Sequence, residues 1–329
     1  MENILVIRLK SIGDVLLTLP AVQAVRENFP AAKISFLTSI ENVPLLRGFS
    51  EVNETIALDR PALRSGHPAK TCREFFGLLI RLRAGKFSLV VDLQGYGETA
   101  WLARITGAPH RWGWIYRQSR SWAYTRPVEP LPKVHPAETH LRLLQACGLS
   151  VGSVRNEFIL PAAAVNDARA WLAGHRLEAT KPTIYFQPFT SEARKNWPFK
   201  NYLALAGHWH ARGVQIIVGG GPADQPLLDQ ARNLGFAVPT GLSRLTDAGL
   251  MKLSTLVVGG DTGFLHLAVA MGKRVIMLMS SQNPGHAVPF QHPEWAVVPQ
   301  SGSRLEEVTL EKMIAATSAA LAAATIEFK

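Results

Sequence analysis

The sequence has few cysteines and no long uninterrupted apolar run. Its 329 residues include only two cysteines, Cys72 and Cys147, in no metal-like spacing. This usage fits a reducing compartment and argues against a disulfide-stapled scaffold. No uncharged apolar run reaches the roughly 18 residues that a membrane span requires. The apolar part of the first ten residues is too short for a signal peptide and is followed by Arg8 and Lys10, so we expect a cytoplasmic protein.

Acidic residues are scarce relative to basic ones. The chain carries 35 Lys and Arg against 25 Asp and Glu, a formal net charge of +10. Residues 1–150 hold 19 of these cations and 12 of the acids, so most of the excess lies in the first half. A basic surface attracts nucleic acid, anionic lipid or a phosphorylated small molecule, and charge alone does not choose among them. The length and the 47% hydrophobic content indicate a globular protein of about two domains.

Apolar runs typical of buried strands alternate with helical patterns. The strand-like runs are "ILVIRL", "KISFLTS" and "FSLVVDLQG" in the first half, and "TIYFQP", "VQIIVGGG", "TLVVGGD" and "VIMLMS" in the second. Helical spacing falls near 14–28, 70–84, 199–212, 224–235 and 263–271. This alternation predicts an α/β protein built from βαβ units, with parallel sheets and right-handed crossovers.

The middle of the chain has a different composition. Residues 126–161 are rich in Pro, Gly and Ser around one short helix near 137–147, which predicts a domain boundary close to Leu160. We therefore expect domains over 1–160 and 161–310 and a C-terminal helix over 311–329. Two doubly wound domains joined there would form a cleft, and ligands of such sheets bind outside the carboxyl ends of the strands.

The first candidate loop lies in "VIRLKSIGDVLLTLPAV". A strand is followed by a four-residue loop that ends at Asp14, and then by the apolar spacing of a helix. Asp14 can be interpreted as a helix cap, since Asp is favoured at helix starts. It can equally be interpreted as a carboxylate that accepts a proton in catalysis.

The loop in "FQPFTSEARKNWPFKNY" combines hydroxyls and cations. Thr190, Ser191, Arg194 and Lys195 follow a strand, and Pro198 suits the first position of the next helix. Hydroxyls, cations and a helix N-terminus together favour phosphate binding. A solvated loop with incidental charge is the alternative.

The segment "VVGGDTGFLHLAVAMGK" also runs from a strand into a helix. Gly263 allows a ligand to approach the backbone, and the free N–H groups at the helix start favour a diphosphate. Asp261 and His266 either shape that site or serve only as a helix cap and a packed histidine. Thr262 lies between the aspartate and the glycine.

A third strand end occurs in "VGGGPADQPLLDQ". Its glycines permit close backbone approach, and Asp224 can accept hydrogen bonds from ribose hydroxyls. The loop does not complete the pattern G-x-G-x-x-G, because Ala223 and Asp224 fall where the last glycine is needed. A dinucleotide site is therefore weakly supported.

The segment from Trp101 to Pro127 has five arginines, no acid and six Trp or Tyr residues. Arginine beside aromatic rings suits recognition of sugars and phosphates, or the edge of a membrane. Arg111, Arg117 and Arg120 are therefore candidates for acceptor binding. A strand and loop whose aromatic residues belong to the core is the alternative.

Taken together, these segments resemble the glycosyltransferase family 9 heptosyltransferases, which build the inner core of bacterial lipopolysaccharide. "RLKSIGDVLLTLPAV" resembles the S-x-G-D and T-x-P pattern at the start of the family. "QPFTSEARKNWP" resembles the K-x-W-P phosphate loop, and "GGDTGFLHLAVAMGK" resembles the motif D-T-G-x-x-H-x-A-x-A. The resemblance covers nearly the whole chain, in order.

The resemblance implies a GT-B fold, in which two doubly wound Rossmann-like domains face each other across a cleft. The N-terminal domain would bind the acceptor, and the C-terminal domain an ADP-activated heptose. It further implies inversion at the anomeric carbon, no cofactor and no metal. By position, Asp14 is expected to be the catalytic base. The donor site is expected to comprise Thr190, Ser191, Lys195, Asp224, Asp261, Thr262, Gly263 and His266.

The expected acceptor is an anionic glycolipid, Kdo-lipid A or its heptosylated form, which implies peripheral contact with the inner leaflet of the cytoplasmic membrane. One departure leaves the sugar open, since Ser280-Ser281-Gln282-Asn283-Pro284 stands where the family usually has G-P-T-D-P. Another nucleotide sugar is therefore the main alternative. An NAD(P)-dependent oxidoreductase is disfavoured by the missing glycine pattern. No recognition motif supports a nucleic-acid partner, and none is expected.

Overall fold

The structure is a computed structural model that describes residues 1–63, 66–178, 180–283, 285–300 and 304–327. Contacts divide the chain into an N-terminal unit, Met1–Glu157, and a C-terminal unit, Phe158–Lys329. The predicted division of acceptor and donor binding between two domains stays a prediction. Pro284, in the departing loop, lies outside the described residues, as do the last two residues of the predicted C-terminal helix.

The N-terminal unit is built around one parallel sheet. Its described strands are β1 (Asn3–Ile7), β2 (Lys33–Ser39), β3 (Glu54–Leu58), β4 (Leu89–Asp92), β5 (His110–Trp114) and β6 (Arg126–Val128). They lie in the order β3-β2-β1-β4-β5-β6. Its α-helices are α1 (Ile12–Leu16), α2 (Leu19–Asn28), α3 (Arg60–Leu63), α4 (Pro68–Ala84), α5 (Gly97–Ile105) and α6 (Pro136–Ala146), with 3₁₀ helices at Ile40–Gly48 and Gln118–Ala123.

Helices cover both faces of this sheet. Ile4 to Ile7 of β1 are fully buried on alternating sides, as expected for a central parallel strand. On one face, the core brings strand residues together with Leu78 and Leu82 of α4 and Ala103 of α5. On the other face, α2 packs against α6. Long apolar strand runs are thus explained by burial on two sides.

The helix predicted over 14–28 is two helices. The first, α1, begins at Ile12 with Ser11 as its N-cap, so Asp14 lies inside the first turn and not at the end of a loop. The second, α2, begins at Leu19 with Thr18 as its N-cap. Pro20 in the first turn of α2 has no N–H to continue the helical ladder, which accounts for the restart there.

The C-terminal unit has a second parallel sheet. Its described strands are β7 (Thr183–Gln187), β8 (Gln215–Val218), β9 (Leu256–Gly260), β10 (Val275–Leu278) and β11 (Ala296–Val297), in the order β11-β10-β9-β7-β8. The α-helices are α7 (Ala162–Gly174), α8 (Phe199–His210), α9 (Gln225–Asn233), α10 (Arg244–Leu253), α11 (Gly263–Ala270) and α12 (Leu310–Glu327), with 3₁₀ helices at Ala193–Lys195, Pro222–Asp224, Pro293–Trp295 and Leu305–Glu307.

The prediction of an α/β fold with two doubly wound parallel sheets is confirmed. The sequence did not predict β3, β6 or β11, and it indicated β5 only within the alternative of a strand and loop between Trp101 and Pro127. These strands lie toward the edges of their sheets and carry polar residues or are very short. No helix within the described ranges combines the length and the apolar character needed to cross a bilayer.

Candidate active site

The strand order of the C-terminal sheet reverses between β7 and β9. The chain runs from β7 to β8 in one direction, then returns to build β9, β10 and β11 on the other side of β7. Loops leaving adjacent strands at such a point diverge and open a crevice for ligands. Lys195 follows β7 and Asp261 follows β9. The topology therefore places these two predicted residues at the crevice.

Lys195, Asp261 and His266 form one connected cluster. The ammonium of Lys195 donates to Oδ2 of Asp261 at 2.8 Å, and Nε2 of His266 lies 3.2 Å from Oδ1 of the same carboxylate. Glu192 lies 3.6 Å from the Lys195 ammonium. Nδ1 of His266 is buried and has no hydrogen-bond partner within the described part of the chain. Asp261 thus orients both a cation and an imidazole.

These contacts fix the charges of the cluster. Burial opposes the charge of Asp261, but hydrogen bonds from His266 and Lys195 outweigh it and lower the pKa of Asp261 to about 2. Burial likewise opposes the charge of Lys195, but Asp261 and Glu192 raise the pKa of Lys195 above its ordinary value. Both groups are therefore ionised at neutral pH, and the lysine can meet an anionic ligand as a full cation.

Two glycines at the end of β9 allow the loop after β7 to approach the loop after β9. A Cβ at Gly259 would lie 2.4 Å from the carbonyl oxygen of Gln187, and one at Gly260 would lie 2.7 Å from the Thr190 methyl and 2.9 Å from the Lys195 carbonyl oxygen. Neither position has room for a side chain. The loop after β7, which carries Lys195, therefore packs directly against the end of β9, from which the Asp261 loop leaves.

The loop after β7, which carries Thr190 as well as Lys195, is held by hydrogen bonds among its own polar groups. Thr190 N donates to Oδ1 of Asn196 at 2.9 Å, and its hydroxyl donates to the carbonyl of Glu192 at 2.8 Å. Ser191 is exposed at the tip of the loop. Pro198 is the N-cap of α8, which begins at Phe199. The sequence predicted Pro198 as the first helical residue, so the helix begins one residue later than predicted.

The N-terminus of α11 also lies at the carboxyl edge of the C-terminal sheet. Thr262 is the N-cap and its hydroxyl accepts from Leu265 N, so Gly263 is the first helical residue. A cavity of about 160 Å³ lies beside it, lined by Lys195, Asp261, Ser280 and others. A larger cavity of about 470 Å³ is lined by residues that precede β7 and β8, at the opposite edge of the sheet. Of these two cavities, the smaller one touches predicted donor-site residues.

Asp224 lies at the end of the 3₁₀ helix that follows β8. Its Oδ2 accepts from Gly221 N at 2.8 Å, so the carboxylate closes the glycine loop. Gly220 packs so closely on Phe189 that a Cβ would lie 2.8 Å from the ring. The Asp224 loop and the Thr190 loop are therefore neighbours at the carboxyl edge of the sheet.

The N-terminal sheet also reverses, between β1 and β4. Asp14 follows β1, and its Oδ1 lies 2.9 Å from Nη2 of Arg8. Its Oδ2 accepts from Ser11 N at 2.7 Å. Arg8 is itself held by a 2.7 Å hydrogen bond from Nη1 to the carbonyl of Leu93, beyond β4. Asp14 is thus both a capping residue and an oriented, half-exposed carboxylate.

An aromatic pair lies in the same region. Tyr96 and Tyr116 meet edge to face, with ring centroids 6.0 Å apart, and both are half exposed. Burial raises the pKa of Tyr116 above its usual range, although the positive charge of Arg8 acts in the opposite direction. Beneath them, the buried carboxylate of Asp92 accepts from the hydroxyl of Tyr124 at 2.6 Å.

The three candidate acceptor arginines differ in their surroundings. Arg111 donates from its guanidinium to the carbonyls of Ala108 and Ala123, so it braces the chain around β5. Arg120 donates to the carbonyl of Gly95 at 2.9 Å. Arg117 is exposed and lines an open depression with Tyr116. Only Arg117 presents its guanidinium without a hydrogen bond to a main-chain carbonyl among the described contacts.

Sequence reasoning did not single out Arg8, Glu192 or Asn196. Arg8 was visible as a cation at the end of a buried strand, a position that could have drawn attention. Glu192 and Asn196 act through contacts inside a loop, and their spacing carried no signal. Ser280 to Asn283, by contrast, belong to the loop that was flagged as a departure, and Ser280 does line the cavity beside Lys195.

Known proteins share this fold. A solved glycosyltransferase family 9 protein from Veillonella parvula DSM 2008 aligns with a TM-score of 0.86 at 21% identity, over 98% of this chain and 97% of its own. The E. coli heptosyltransferase WaaC, solved with ADP, aligns with a TM-score of 0.79 at 20% identity, over 97% and 99%. The predicted GT-B fold is therefore confirmed.

Comparison of sequences points to the same family as comparison of folds. Lipopolysaccharide heptosyltransferase 3 of Escherichia coli is 25% identical over 280 residues, which cover 82% of this chain and 81% of the relative. The model of glycosyltransferase family 9 (heptosyltransferase) matches residues 76–313, more than half of the chain. This protein belongs to glycosyltransferase family 9 and is a glycosyltransferase.

Proposed function

We propose that this chain is an inverting, metal-independent transferase that moves a heptose from ADP-heptose to the lipopolysaccharide inner core, either to Kdo-lipid A or to a heptosyl acceptor. The observation that carries the proposal is the Lys195–Asp261 ion pair beside the N-terminus of α11, at the reversal point of the C-terminal sheet. The E. coli sequence relative is a lipopolysaccharide heptosyltransferase, and the E. coli heptosyltransferase WaaC, which shares the fold, was solved with ADP.

The C-terminal unit holds the donor in this proposal. The diphosphate of the donor gains negative charge as the bond to the sugar breaks. Lys195 supplies a full positive charge, and the free N–H groups around Thr262 and Gly263 supply partial ones. These groups stabilise the leaving diphosphate more strongly in the transition state than in the bound donor. In this proposal Asp224 accepts hydrogen bonds from the ribose, as acids do in other doubly wound folds.

The N-terminal unit holds the acceptor, with Asp14 as the base. The acceptor hydroxyl attacks the anomeric carbon while the bond from that carbon to the diphosphate oxygen breaks. The hydroxyl proton passes to the carboxylate of Asp14, and ADP leaves as the anion. Attack on the face opposite the leaving group inverts the configuration, as in inverting glycoside hydrolysis. A carboxylate suffices, since the hydroxyl becomes acidic as its oxygen bonds to the anomeric carbon.

Positive charge on this chain supports a reaction without a metal and an anionic acceptor. Lys195 and the helix N-terminus supply the positive charge that a divalent cation supplies in other transferases, so no metal is required. The net charge of +10 favours an anionic glycolipid acceptor. Arg117 and Arg120 are the candidate contacts for its charged groups. The enzyme then works in the cytoplasm, in peripheral contact with the inner membrane leaflet.

A transfer assay tests the proposal. The purified chain is incubated with ADP-heptose and a truncated lipopolysaccharide acceptor, with and without EDTA. Mass spectrometry should show the gain of one heptose in both cases, and NMR should show an inverted anomeric configuration. Loss of activity in EDTA would overturn the metal-independent part, and a retained configuration would overturn the role of Asp14.

A second donor is supported by one specific observation. Ser280 lines the cavity beside Lys195, in a loop whose sequence departs from the family pattern. A changed loop at the donor cavity can select another sugar or nucleotide. Thermal shift across a panel of nucleotide sugars separates the two possibilities. If another nucleotide sugar is the donor, it should raise the melting temperature more than ADP-heptose does.

A further inference from the structure

Helix α4 has apolar side chains on two opposite sides. Leu78 and Leu82 are buried in the core against the sheet. Phe76 and Ile80 lie two residues before and after Leu78, about 200° around the helix in either direction. They point away from the core and are 58% and 69% exposed. A surface helix normally carries polar residues on that side, whereas here the described residues of the unit leave a second apolar side uncovered.

The neighbouring elements extend this surface. Helix α5 packs against α4 and against the 3₁₀ helix Gln118–Ala123. Trp101 of α5 and Trp122 of the 3₁₀ helix meet with ring centroids 4.7 Å apart, and they are 60% and 46% exposed. Of the thirteen large apolar or aromatic side chains exposed in the described ranges, seven lie between Phe75 and Trp122. We call Phe76, Ile80, Trp101 and Trp122 the outer face.

Basic residues surround the outer face. Lys70, Arg73 and Arg83 of α4 are exposed, and so is Arg104 of α5. The two acids of these helices are both engaged in ion pairs, Glu74 with Arg81 and Glu98 with Arg60. The surface therefore combines exposed aromatic and aliphatic groups with a local excess of positive charge.

We propose that the outer face docks on the surface of an anionic lipid bilayer. Aromatic and aliphatic side chains partition into the region between headgroups and acyl chains, while flanking Lys and Arg side chains reach the negatively charged headgroups. A second copy of this chain would instead bring two basic surfaces together, which charge repulsion disfavours. The inference rests on the peripheral membrane contact proposed above, and it assigns that contact to named residues.

The chain contains a natural probe for this surface. Cys72 lies one turn before Phe76 on the same side of α4 and is exposed, whereas Cys147 is buried. Burial raises the pKa of the Cys147 thiol to about 11, which keeps it unreactive. An environment-sensitive fluorophore on Cys72 should shift to shorter wavelength with vesicles of phosphatidylglycerol and phosphatidylethanolamine. Vesicles of phosphatidylcholine alone should give little shift, and high salt should reduce the shift.

A double variant with a matched control sharpens the test. Phe76→Ser with Ile80→Ser should lower the vesicle partition coefficient by about tenfold or more, since partitioning scales with buried apolar area. Leu227→Ser with Leu234→Ser removes two exposed leucines from the C-terminal unit and should leave partitioning unchanged. A fluorophore on Leu234→Cys, in a Cys72→Ser chain, should show no vesicle-dependent shift.

The outcomes separate the inference from the proposed reaction. Transfer to a water-soluble, deacylated acceptor should be the same for wild type and for the Phe76, Ile80 double variant. If the fluorophore on Cys72 does not respond to anionic vesicles, or if the double variant binds them as wild type does, the inference is overturned. A wild-type dimer in sedimentation that the double variant converts to monomer would also overturn it. Vesicle binding without transfer from ADP-heptose would instead overturn only the proposed donor.

Discussion

Arg8 and Asp14 form an ion pair in which each group is also tied to the backbone. Nη2 of Arg8 lies 2.9 Å from Oδ1 of Asp14. The Arg8 side chain is only 13% exposed, whereas 41% of the Asp14 side chain remains exposed. Because Ser11 N holds the other carboxylate oxygen, the Asp14 carboxylate cannot rotate freely. The pair therefore presents an oriented carboxylate to solvent, and this arrangement makes the role of Asp14 testable.

Asp14→Asn separates capping from catalysis. At this position inside the first turn, the side-chain oxygen of asparagine can still accept from Ser11 N, and the lost ion pair with Arg8 is partly exposed, so the free energy of unfolding should change by no more than about 1 kcal/mol. If Asp14 is the base, turnover should fall by something on the order of 10²–10⁴ while ADP affinity is unchanged. Single-turnover kinetics and calorimetry measure these two quantities. A variant that turns over within a few-fold of wild type would leave Asp14 as a cap alone.

Arg8→Met tests whether Arg8 positions Asp14. The substitution keeps an apolar stem but removes the cation, so we expect kcat to fall by about tenfold with little change in the KM for the donor. Arg8→Lys retains a charge and should recover part of the loss. Steady-state kinetics on both variants provide the check. An equal loss of kcat in the two variants, or a change confined to KM, would contradict a positioning role.

Lys195→Ala should weaken donor binding and transfer. Loss of a charge-assisted hydrogen bond costs about 1.5–3 kcal/mol, which corresponds to roughly ten- to more than hundred-fold in affinity. Isothermal calorimetry with ADP measures the effect directly. Lys200→Ala is the matched control, since Lys200 is an exposed lysine of α8. An ADP dissociation constant equal to that of wild type would remove Lys195 from the donor site.

Asp261 should stabilise the fold at neutral pH and lose that effect in acid. Its pKa is about 2 in the folded protein against an ordinary value of 3.8. The stabilisation is therefore complete above pH 4 and disappears as the pH falls toward 2. Asp261→Asn should cost about 2 kcal/mol near pH 6 and progressively less below pH 4. Thermal midpoints across pH measure the difference, and a constant difference would contradict the assignment.

Asp247, in α10, should behave in the opposite sense. Burial raises its pKa to about 6, and its Oδ1 is buried without a partner in the described ranges. A raised pKa means that ionisation destabilises the folded state as the pH rises from about 4 through 6. Asp247→Asn should therefore raise stability at pH 8, by up to about 3 kcal/mol, and change little at pH 4. Asp167→Asn, at an exposed position of α7, should show no such trend.

The central strands could be predicted from sequence because burial on both faces leaves a continuous apolar signature. The runs that became β1 and β7 are fully or almost fully buried. The strand His110–Trp114 was given no bounds from sequence and entered only as an alternative for its segment, since it begins with polar residues. Gly113 lies so close to the Tyr124 ring that only the folded chain shows why a glycine stands there.

The loops of the candidate site were predicted, but their internal contacts were not. Lys195 and Asp261 were named separately because each follows a strand, and their 2.8 Å contact joins residues 66 positions apart. Such a contact depends on which strands are neighbours, and hydrophobic periodicity does not report strand order. The Arg8–Asp14 pair was missed for a simpler reason, since the cation was counted as part of a strand.

The glycines that end β9 have a consequence for how the cluster responds to charge. Since the Thr190 methyl and the Lys195 carbonyl oxygen leave no space for a side chain at Gly260, the loop after β7 packs directly against the end of β9. The ammonium and the carboxylate are held in place before any ligand arrives, so little polar rearrangement accompanies the growth of charge on a leaving group. The lack of side chains at Gly259 and Gly260 thus helps to keep the reorganisation energy of the site small.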